Sequence, residues 1–402
     1  MLNEKSVKPA SIRKSAADIV LAVIRNHSPT ARIDIAKNTG LSPATITSIT
    51  ADLLSKGLIS EVAFDQAGGG AKRGRPRVGL KIRGAAHLVV GIKLADKSAS
   101  VVIVDFDGEQ VGQFFIATPS ACQAPDAMVE FLTAILDLAL EEAGLGRSDI
   151  SAVGIGISGF VDVEAGIVRW SPSLNMHDVA LQAALSGAMG MPIFLDNDTN
   201  LAARAEQRFG LGQNVRNFIV VSVEQGVGMG IVIDGKIYRG NRGAGAELGH
   251  TKVQLGGALC RCGQRGCLEA YVGDYALLRE AGTVIGASQG AGPEQQMELL
   301  LQASEAGNKV ACSILERAGR MFSMGLANVV NIFAPELIIL SGSSMRLLCT
   351  QKVIGDTKKM CIQFGASQPD ICIHDWGDLM WAMGAAAYAI DGVSEMTLRE
   401  ME

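Results

Sequence analysis

The chain has 402 residues, 48% of them hydrophobic and 5% aromatic, with 47 glycines, eight cysteines and a formal net charge of −5. That length supplies the cores of two or three domains, and abundant Gly beside Ala and Val suits an α/β fold with tight strand-to-loop turns. No apolar run of about 18 residues and no apolar N-terminal core is present, which argues against a membrane span or an export signal and predicts a cytoplasmic chain whose cysteines are thiols or metal ligands.

The charge is unevenly spread. Through Arg83 there are 14 Lys and Arg against 6 Asp and Glu, a net of +8, and the remainder carries −13. A basic head on an acidic body reads either as a solvated face or as a module for a polyanion. The local pattern favours the second. Residues 12–24 repeat apolar side chains at Ile12, Ile19, Val20, Val23 and Ile24 and stop at Ser28-Pro29. Thr30 is placed to cap a second helix, Arg32 to Asn38, which Gly40 ends in the left-handed region. Ser42-Pro43 opens a third helix with Ile46, Ile49, Leu53 and Leu54 inward. Two short helices around a Gly turn are the sequence form of a helix-turn-helix, whose second helix reads the major groove. Its outward candidates for DNA contact are Ser42, Ala44, Thr45, Thr47 and Ser48. Their small hydroxyls fit several base edges and specify no operator.

Strand patterns at 60–64 and 78–82 flank Gly68-Gly69-Gly70 and the basic run Lys72, Arg73, Arg75 and Arg77, a wing hairpin. Arg73 and Arg75, beside Pro76, are candidates for a narrow minor groove. A flexible basic linker fits the same residues. The expected division is a winged helix-turn-helix at 1–83 and a second unit at 84–402.

In that second unit, strands at 87–94 and 101–105, a helix at 127–143 and a strand at 152–157 form a series that recurs at 218–222, 230–233 and 337–340. Two similar halves predict two lobes around a cleft. Gly154-x-Gly156-x-x-Gly159 has dinucleotide-fingerprint spacing, but the extended Phe160-Val-Asp-Val follows it instead of a helix, which argues against a pyrophosphate site. Gly226-x-Gly228-x-Gly230 reads as a tight hairpin. The apolar run 192–195 ends at Asp196-Asn197-Asp198, where a strand end meets a helix. Asp198 fits either a ligand contact or a helix N-terminal charge. His250, Cys260, Cys262 and Cys267 are three thiols and an imidazole in 18 residues of Gly-rich loop, zinc's closed tetrahedral set. With four protein ligands no position remains for an activated water, so one structural Zn²⁺ per chain is expected.

These residues carry a resemblance. Glu247-Leu-Gly-His250, the Cys260-Arg-Cys262-Gly-Gln-Arg-Gly-Cys267-Leu-Glu269 loop, Asn197-Asp198 and Ile233-Asp-Gly-Lys-Ile-Tyr-Arg-Gly240 resemble the ROK family of repressors and sugar kinases. With its N-terminal winged helix the chain looks like the family's xylose- and glucose-type repressors. The resemblance implies a two-lobed actin-like, ribonuclease H-like sugar-kinase body. It also implies a sugar held by Gly159, Asn197, Asp198, Glu247, His250 and Glu269, with Asp198 matching the kinases' general base. Ser173 stands where the family often has a sugar-contacting Asn. Family kinases read Asp-x-Gly-Gly-Thr in the first hairpin, and here Lys93 replaces the acidic residue and the glycines are absent. Gln225 stands where the second phosphate turn usually has Thr. Phosphoryl transfer rests on positioning and charge, so the expectation is sugar binding without turnover, and no enzyme. The partners implied are a double-stranded DNA operator, a sugar effector and a second copy of the chain in a dimer or tetramer. As in some relatives, a phosphotransfer-system protein is a further candidate. The alternative is an active sugar kinase with an accessory DNA-binding domain.

Overall fold

The computed structural model describes residues 16–64, 77–95, 98–118, 122–285, 292–363, 368–374, 376–377 and 379–399. Arg73 and Arg75, with Lys72 and the three glycines before it, lie outside the described residues, as does Ile12.

The first elements are α1 (Ala16–Asn26), α2 (Arg32–Thr39), α3 (Pro43–Ser55), β1 (Ile59–Phe64) and β2 (Arg77–Ile82), the two strands pairing antiparallel from Ile59 opposite Ile82. Gly40 ends α2 at φ 71°, and the Ser42 hydroxyl caps α3 by accepting from Thr45 N–H at 3.1 Å. Val20, Leu21, Ile24, Ile35, Ile46 and Leu53 are buried together with Leu58 and Leu80. Each such side chain contributes about 1.5–3 kcal/mol of burial. Two expectations are corrected. Ala31, without a side-chain bond, stands at the start of α2. Thr30 is instead buried in a bridge, its N–H donating to Leu80 O at 3.0 Å and its carbonyl accepting from Leu80 N at 2.8 Å. Ile19 is 37% exposed, because the inward stripe runs through Val20, Leu21 and Ile24 and Ile19 falls one position off it.

The body has two sheets built on one plan. In the first lobe β3 (Leu88–Leu94), β4 (Ser98–Asp105) and β5 (Gln110–Ala117) form a meander. They are followed by α4 (Pro125–Ala143), β6 (Ile150–Ile157), the small hairpin β7 (Phe160–Asp162) and β8 (Ile167–Trp170), α5 (Leu181–Met189), β9 (Ile193–Asn197) and α6 (Asp198–Phe209). The second lobe holds the meander β10 (Phe218–Val223), β11 (Val227–Ile233) and β12 (Lys236–Tyr238), with helices α7 (Glu269–Val272), α8 (Asp274–Ile285), α9 (Pro293–Glu305) and α10 (Lys309–Phe333). It closes with β13 (Leu337–Ser341), α11 (Met345–Leu348), α12 (Gln351–Met360), β14 (Asp370–Ile373) and α13 (Leu379–Arg399). The sheet orders are β5-β4-β3-β6-β9 and β12-β11-β10-β13-β14, each an antiparallel meander whose first strand also pairs with a parallel strand. The repeated series read in the sequence is this repeated sheet.

Helix α13 returns across the first sheet and packs on β3, β6 and α6. The fit is close enough to require glycine: a Cβ on Gly154 would stand 1.9 Å from the Ala385 carbonyl, and one on Gly384 1.9 Å from that of Leu201. Only the turn at Gln225-Gly226 matches the expected tight hairpin. Gly228 and Gly230 lie inside β11, where a Cβ would meet Thr199 of α6 at 2.1 and 2.5 Å. They are absent side chains that let α6 sit on the second sheet.

Helix α1 does not stand apart from the body. Val20, Leu21 and Ile24 belong to one buried cluster with Val89, Val102, Val104, Phe106 and Ile390, and α1 touches α13.

Candidate functional site

Strand β9 carries the apolar run into the first lobe and delivers Asp196, Asn197 and Asp198 at its C-terminal end, where α6 begins. Asn197 is the N-cap, its Oδ1 accepting from Thr199 N–H at 2.9 Å and Asn200 N–H at 3.2 Å. Its Nδ2 donates to the Gly159 carbonyl at 2.9 Å. Gly159 sits at φ 114°, and a Cβ there would stand 2.2 Å from the Trp170 carbonyl, so the turn requires glycine. Asp198 Oδ2 accepts from the Ser158 hydroxyl at 2.5 Å, and Oδ1 from Thr199 N–H at 2.8 Å. Asp198 is therefore a helix N-terminal charge, placed beside the end of β9. Asp196, fully buried, takes Arg239 Nε at 2.9 Å and Nη2 at 2.6 Å.

The second lobe contributes the other carboxylates. Glu269 opens α7 and is 8% exposed, its Oε2 accepting from Val227 N–H at 3.3 Å. Glu247 precedes a single turn that ends at His250, with 3.9 Å between Glu247 Oε2 and His250 Nε2. Burial pushes the Glu247 carboxyl above its ordinary value; Glu269 and Asp198 push the same way and His250 opposes them. Glu247 thus feels charges from both lobes. Asp198, Glu247, His250 and Glu269 are close enough for their charges to act on one another, and Asn197 ties Gly159 to the same strand end. Sequence reading missed Ser158, which holds Asp198, and Arg239, which neutralises Asp196; a lone Ser or Arg carries no spacing signal.

His250 faces two ways. Its Nδ1 is 3.7 Å from Cys260 Sγ. Cys262 Sγ lies 3.7 Å from Cys267 Sγ, and the four donor atoms of His250, Cys260, Cys262 and Cys267 all lie within 4.8 Å of one another. A tetrahedron with metal–sulfur arms of about 2.3 Å has edges of about 3.8 Å, so the cluster has the size and the soft N/S chemistry of a zinc set. Lys252 Nζ donates to Cys267 Sγ at 2.9 Å, a cation placed against thiolate charge. The turn that carries Glu247 is therefore fastened to the cysteine loop through one imidazole.

The first hairpin departs from a phosphate cradle. Lys93 is 7% exposed, with its ammonium 3.5 Å from Glu224 Oε2 and 3.5 Å from the centroid of the Trp381 ring. It joins β3 of one lobe to the turn after β10 of the other and to α13. Neither Glu224 nor Trp381 was singled out in the sequence, because the partner of Lys93 is 131 residues away. Ser173 is half-buried, its N–H donating to the Ser171 hydroxyl at 3.1 Å, and Gln225 is exposed.

In α3, Ala44, Thr47 and Ser48 are exposed, while Ser42 and Thr45 spend their hydroxyls on each other at 2.8 Å. Thr47 Oγ donates to the Pro43 carbonyl at 2.8 Å. The side chains at these outward positions are short and uncharged, and the exposed Asp52 follows one turn on.

Comparison with known proteins adds four likenesses. The sequence profile described as the ROK family matches residues 89–391. The xylose repressor of Caldicellulosiruptor bescii is 29% identical over 336 residues, covering 81% of this chain and 82% of that protein. A crystal structure of a ROK family transcriptional regulator, described as a homolog of the Escherichia coli MLC protein, superposes with a TM-score of 0.80 at 26% identity, covering 96% of this chain and 98% of that one. A ROK family glucokinase from Streptomyces griseus, in complex with glucose and AMPPNP, gives 0.64 at 28% identity, covering 76% of this chain and all of its own.

Proposed function

The chain belongs to the ROK family, and from that premise we propose that it is a DNA-binding transcriptional repressor governed by a sugar held in a kinase-like cleft that has lost phosphotransfer. The observation that carries the reading is the union of two parts: a basic head of three helices and a hairpin, and the carboxylates Asp198, Glu247 and Glu269, drawn from both lobes and close enough for their charges to act on one another. Carboxylates and amides bind sugar hydroxyls by paired hydrogen bonds. The glucokinase likeness covers the body, whereas the likeness to the regulator extends over nearly the whole chain.

The head is read as a winged helix-turn-helix, residues 1–83, on a sensing unit of residues 84–402. Helix α3 lies in the major groove with Ala44, Thr45, Thr47 and Ser48 near base edges, and Arg73 and Arg75 reach the minor groove. In a homodimer the cleft sets the spacing of two heads, and a sugar shifts that balance by its differential affinity for the two arrangements. The site for the work is the cytoplasm, with operator DNA and a monosaccharide as partners.

Zinc is held by His250 Nδ1, Cys260, Cys262 and Cys267. With four protein ligands such an ion would leave no open position, and its contribution would be to fix the loop and, through His250, the orientation of Glu247. Lys93 supports the non-enzyme reading. Lys93 replaces, in the matching stretch of sequence, the acidic residue that family kinases use, the glycines beside it are absent, and that replacement removes the positioning on which phosphoryl transfer depends.

A mobility shift with the DNA upstream of the chain's own gene, repeated across a panel of pentoses, hexoses and N-acetylhexosamines, tests the function. The expected result is a complex that one sugar dissolves or strengthens and that weakens steeply with salt. Absence of any complex at low salt overturns it. Sugar-dependent ADP release that vanishes in Asp198→Asn would instead establish the kinase alternative.

A further inference from the structure

Cationic charge accumulates where the head meets the body. Arg25, the penultimate residue of α1, lies with its guanidinium 5.1 Å from the centroid of the Phe106 ring. On α6, Arg204 and Arg208 stand one turn apart and both donate to Asp391 of α13, Arg208 at 3.0 Å. Asp391 and Asp107, in the β4–β5 turn, are the carboxylates whose charge reaches Arg25. Three guanidinium groups therefore face two carboxylates. Five of their nitrogens are shut off from solvent without a hydrogen-bond partner among the described residues: Arg25 Nε and Nη2, Arg204 Nε, and Arg208 Nε and Nη2. Burial, and then Arg208, pull the pKa of Arg25 below its ordinary value, and burial does the same to Arg208.

The far end of α6 is the cleft. Asn197 caps the helix and Asp198 opens it, and its twelve residues carry the chain about 18 Å. A second route runs alongside. Asp196 binds Arg239, whose guanidinium lies 5.9 Å from the Tyr388 ring centroid; Arg204 lies 4.7 Å from the same centroid and binds Asp391. A junction with fully paired charges has one best packing. With more buried donors than acceptors, the acceptors can be redistributed by a small movement of α6, and each redistribution has its own energy.

We propose that Arg25, Arg204, Arg208 and Asp391 form the element that couples the cleft to the head, with Arg25 reporting the position of α6 to α1. This inference rests on the sugar-sensor reading above. Arg25 is a positioning residue and touches neither sugar nor DNA.

The test uses the full chain, DNA from upstream of its own gene, and D-xylose and D-glucose as probes. Sugar affinity is measured by calorimetry with and without the DNA. In the wild type the DNA changes the affinity for the sugar that binds by about 5-fold or more. In Arg25→Met that ratio falls to about one, while sugar affinity without DNA stays within about 2-fold. The melting temperature is unchanged or raised, because an apolar side chain of similar length replaces a poorly compensated buried cation. Arg208→Met repeats the result from the α6 side. A merely structural role gives the reverse, a lowered melting temperature with the ratio intact, and overturns the inference. If the wild type binds neither sugar, or no DNA, the sensor reading falls and the junction is judged without ligands. Asn197→Ala, at the cleft end of α6, is then expected to alter hydrogen exchange across residues 16–26, and Arg25→Met to abolish that effect. Exchange in α1 that is indifferent to Asn197→Ala overturns the junction.

Discussion

Single side chains at the two ends of α6 and in the cysteine loop have separable energetic roles. Asn197 satisfies two backbone N–H groups at the start of α6, and Asn197→Ala is expected to lower stability by about 1 kcal/mol, visible in denaturant unfolding. Cys260 has no such graded role. Cys260→Ser leaves three ligands around a soft ion, so metal analysis should fall from one zinc per chain to well below one, with melting at lower temperature or aggregation. A folded, sugar-binding, metal-free protein would contradict this. His87 gives a pH signature. It is held below the ordinary histidine value of 6.5 by burial, with Nδ1 2.9 Å from Ser151 Oγ and its ring against Phe106. Its folded pKa is the lower one, so on acidification the unfolded chain takes up the proton first. Stability from this group is complete above about pH 6.5 and falls as the pH drops below it. His87→Phe should flatten that part of the pH–stability curve. The meeting of His250 with the three cysteines was legible because such sets sit at short, fixed spacings. The burial of His87 was not, since it depends on Phe106 arriving from another strand.

Elements were legible where local chemistry alone decides them. Ser42-Pro43 announces α3 because a hydroxyl cap and a preset φ act within four residues, and the structure has both. The start of α2 misled, because Thr30 has the right chemistry for a cap but is drawn into a backbone bridge with Leu80, a contact 50 residues away. The glycines of β11 misled for the same reason. Their spacing looks like a turn, and only the approach of α6 explains it. Close approach of α13 to α6 makes Gly384→Ala a sharp probe of this level. The added methyl meets the Leu201 backbone, which cannot rotate away, so a loss of about 1–3 kcal/mol is expected from overpacking. Unchanged stability would mean that α13 and α6 sit farther apart.

At the scale of the whole molecule, the two-lobed body could be anticipated because one plan is used twice, and a repeated order of strands shows in a single sequence. The grouping of Asp198 with Glu247 and Glu269 was expected only through the resemblance, since the first comes from one lobe and the other two from the second. Lys93 stood out in the sequence, while its surroundings did not: the lysine is a clasp between lobes, paired with Glu224 and lying on Trp381. Lys93→Ala is expected to loosen lobe closure without creating ADP release in a coupled assay. Turnover in that variant would show that the lysine alone silences the site.

The buried cluster that runs from Val20, Leu21 and Ile24 into Phe106 and Ile390 limits how such a protein can be rebuilt. Heads exchanged between regulators at a boundary in the loop after the wing would bring a foreign α1 onto this body's surface, and the apolar contacts and Arg25 would be mismatched together. A working chimera needs the α1 face transplanted with its seat, Phe106, Asp107 and the end of α13, so the unit of exchange is larger than the unit that binds DNA.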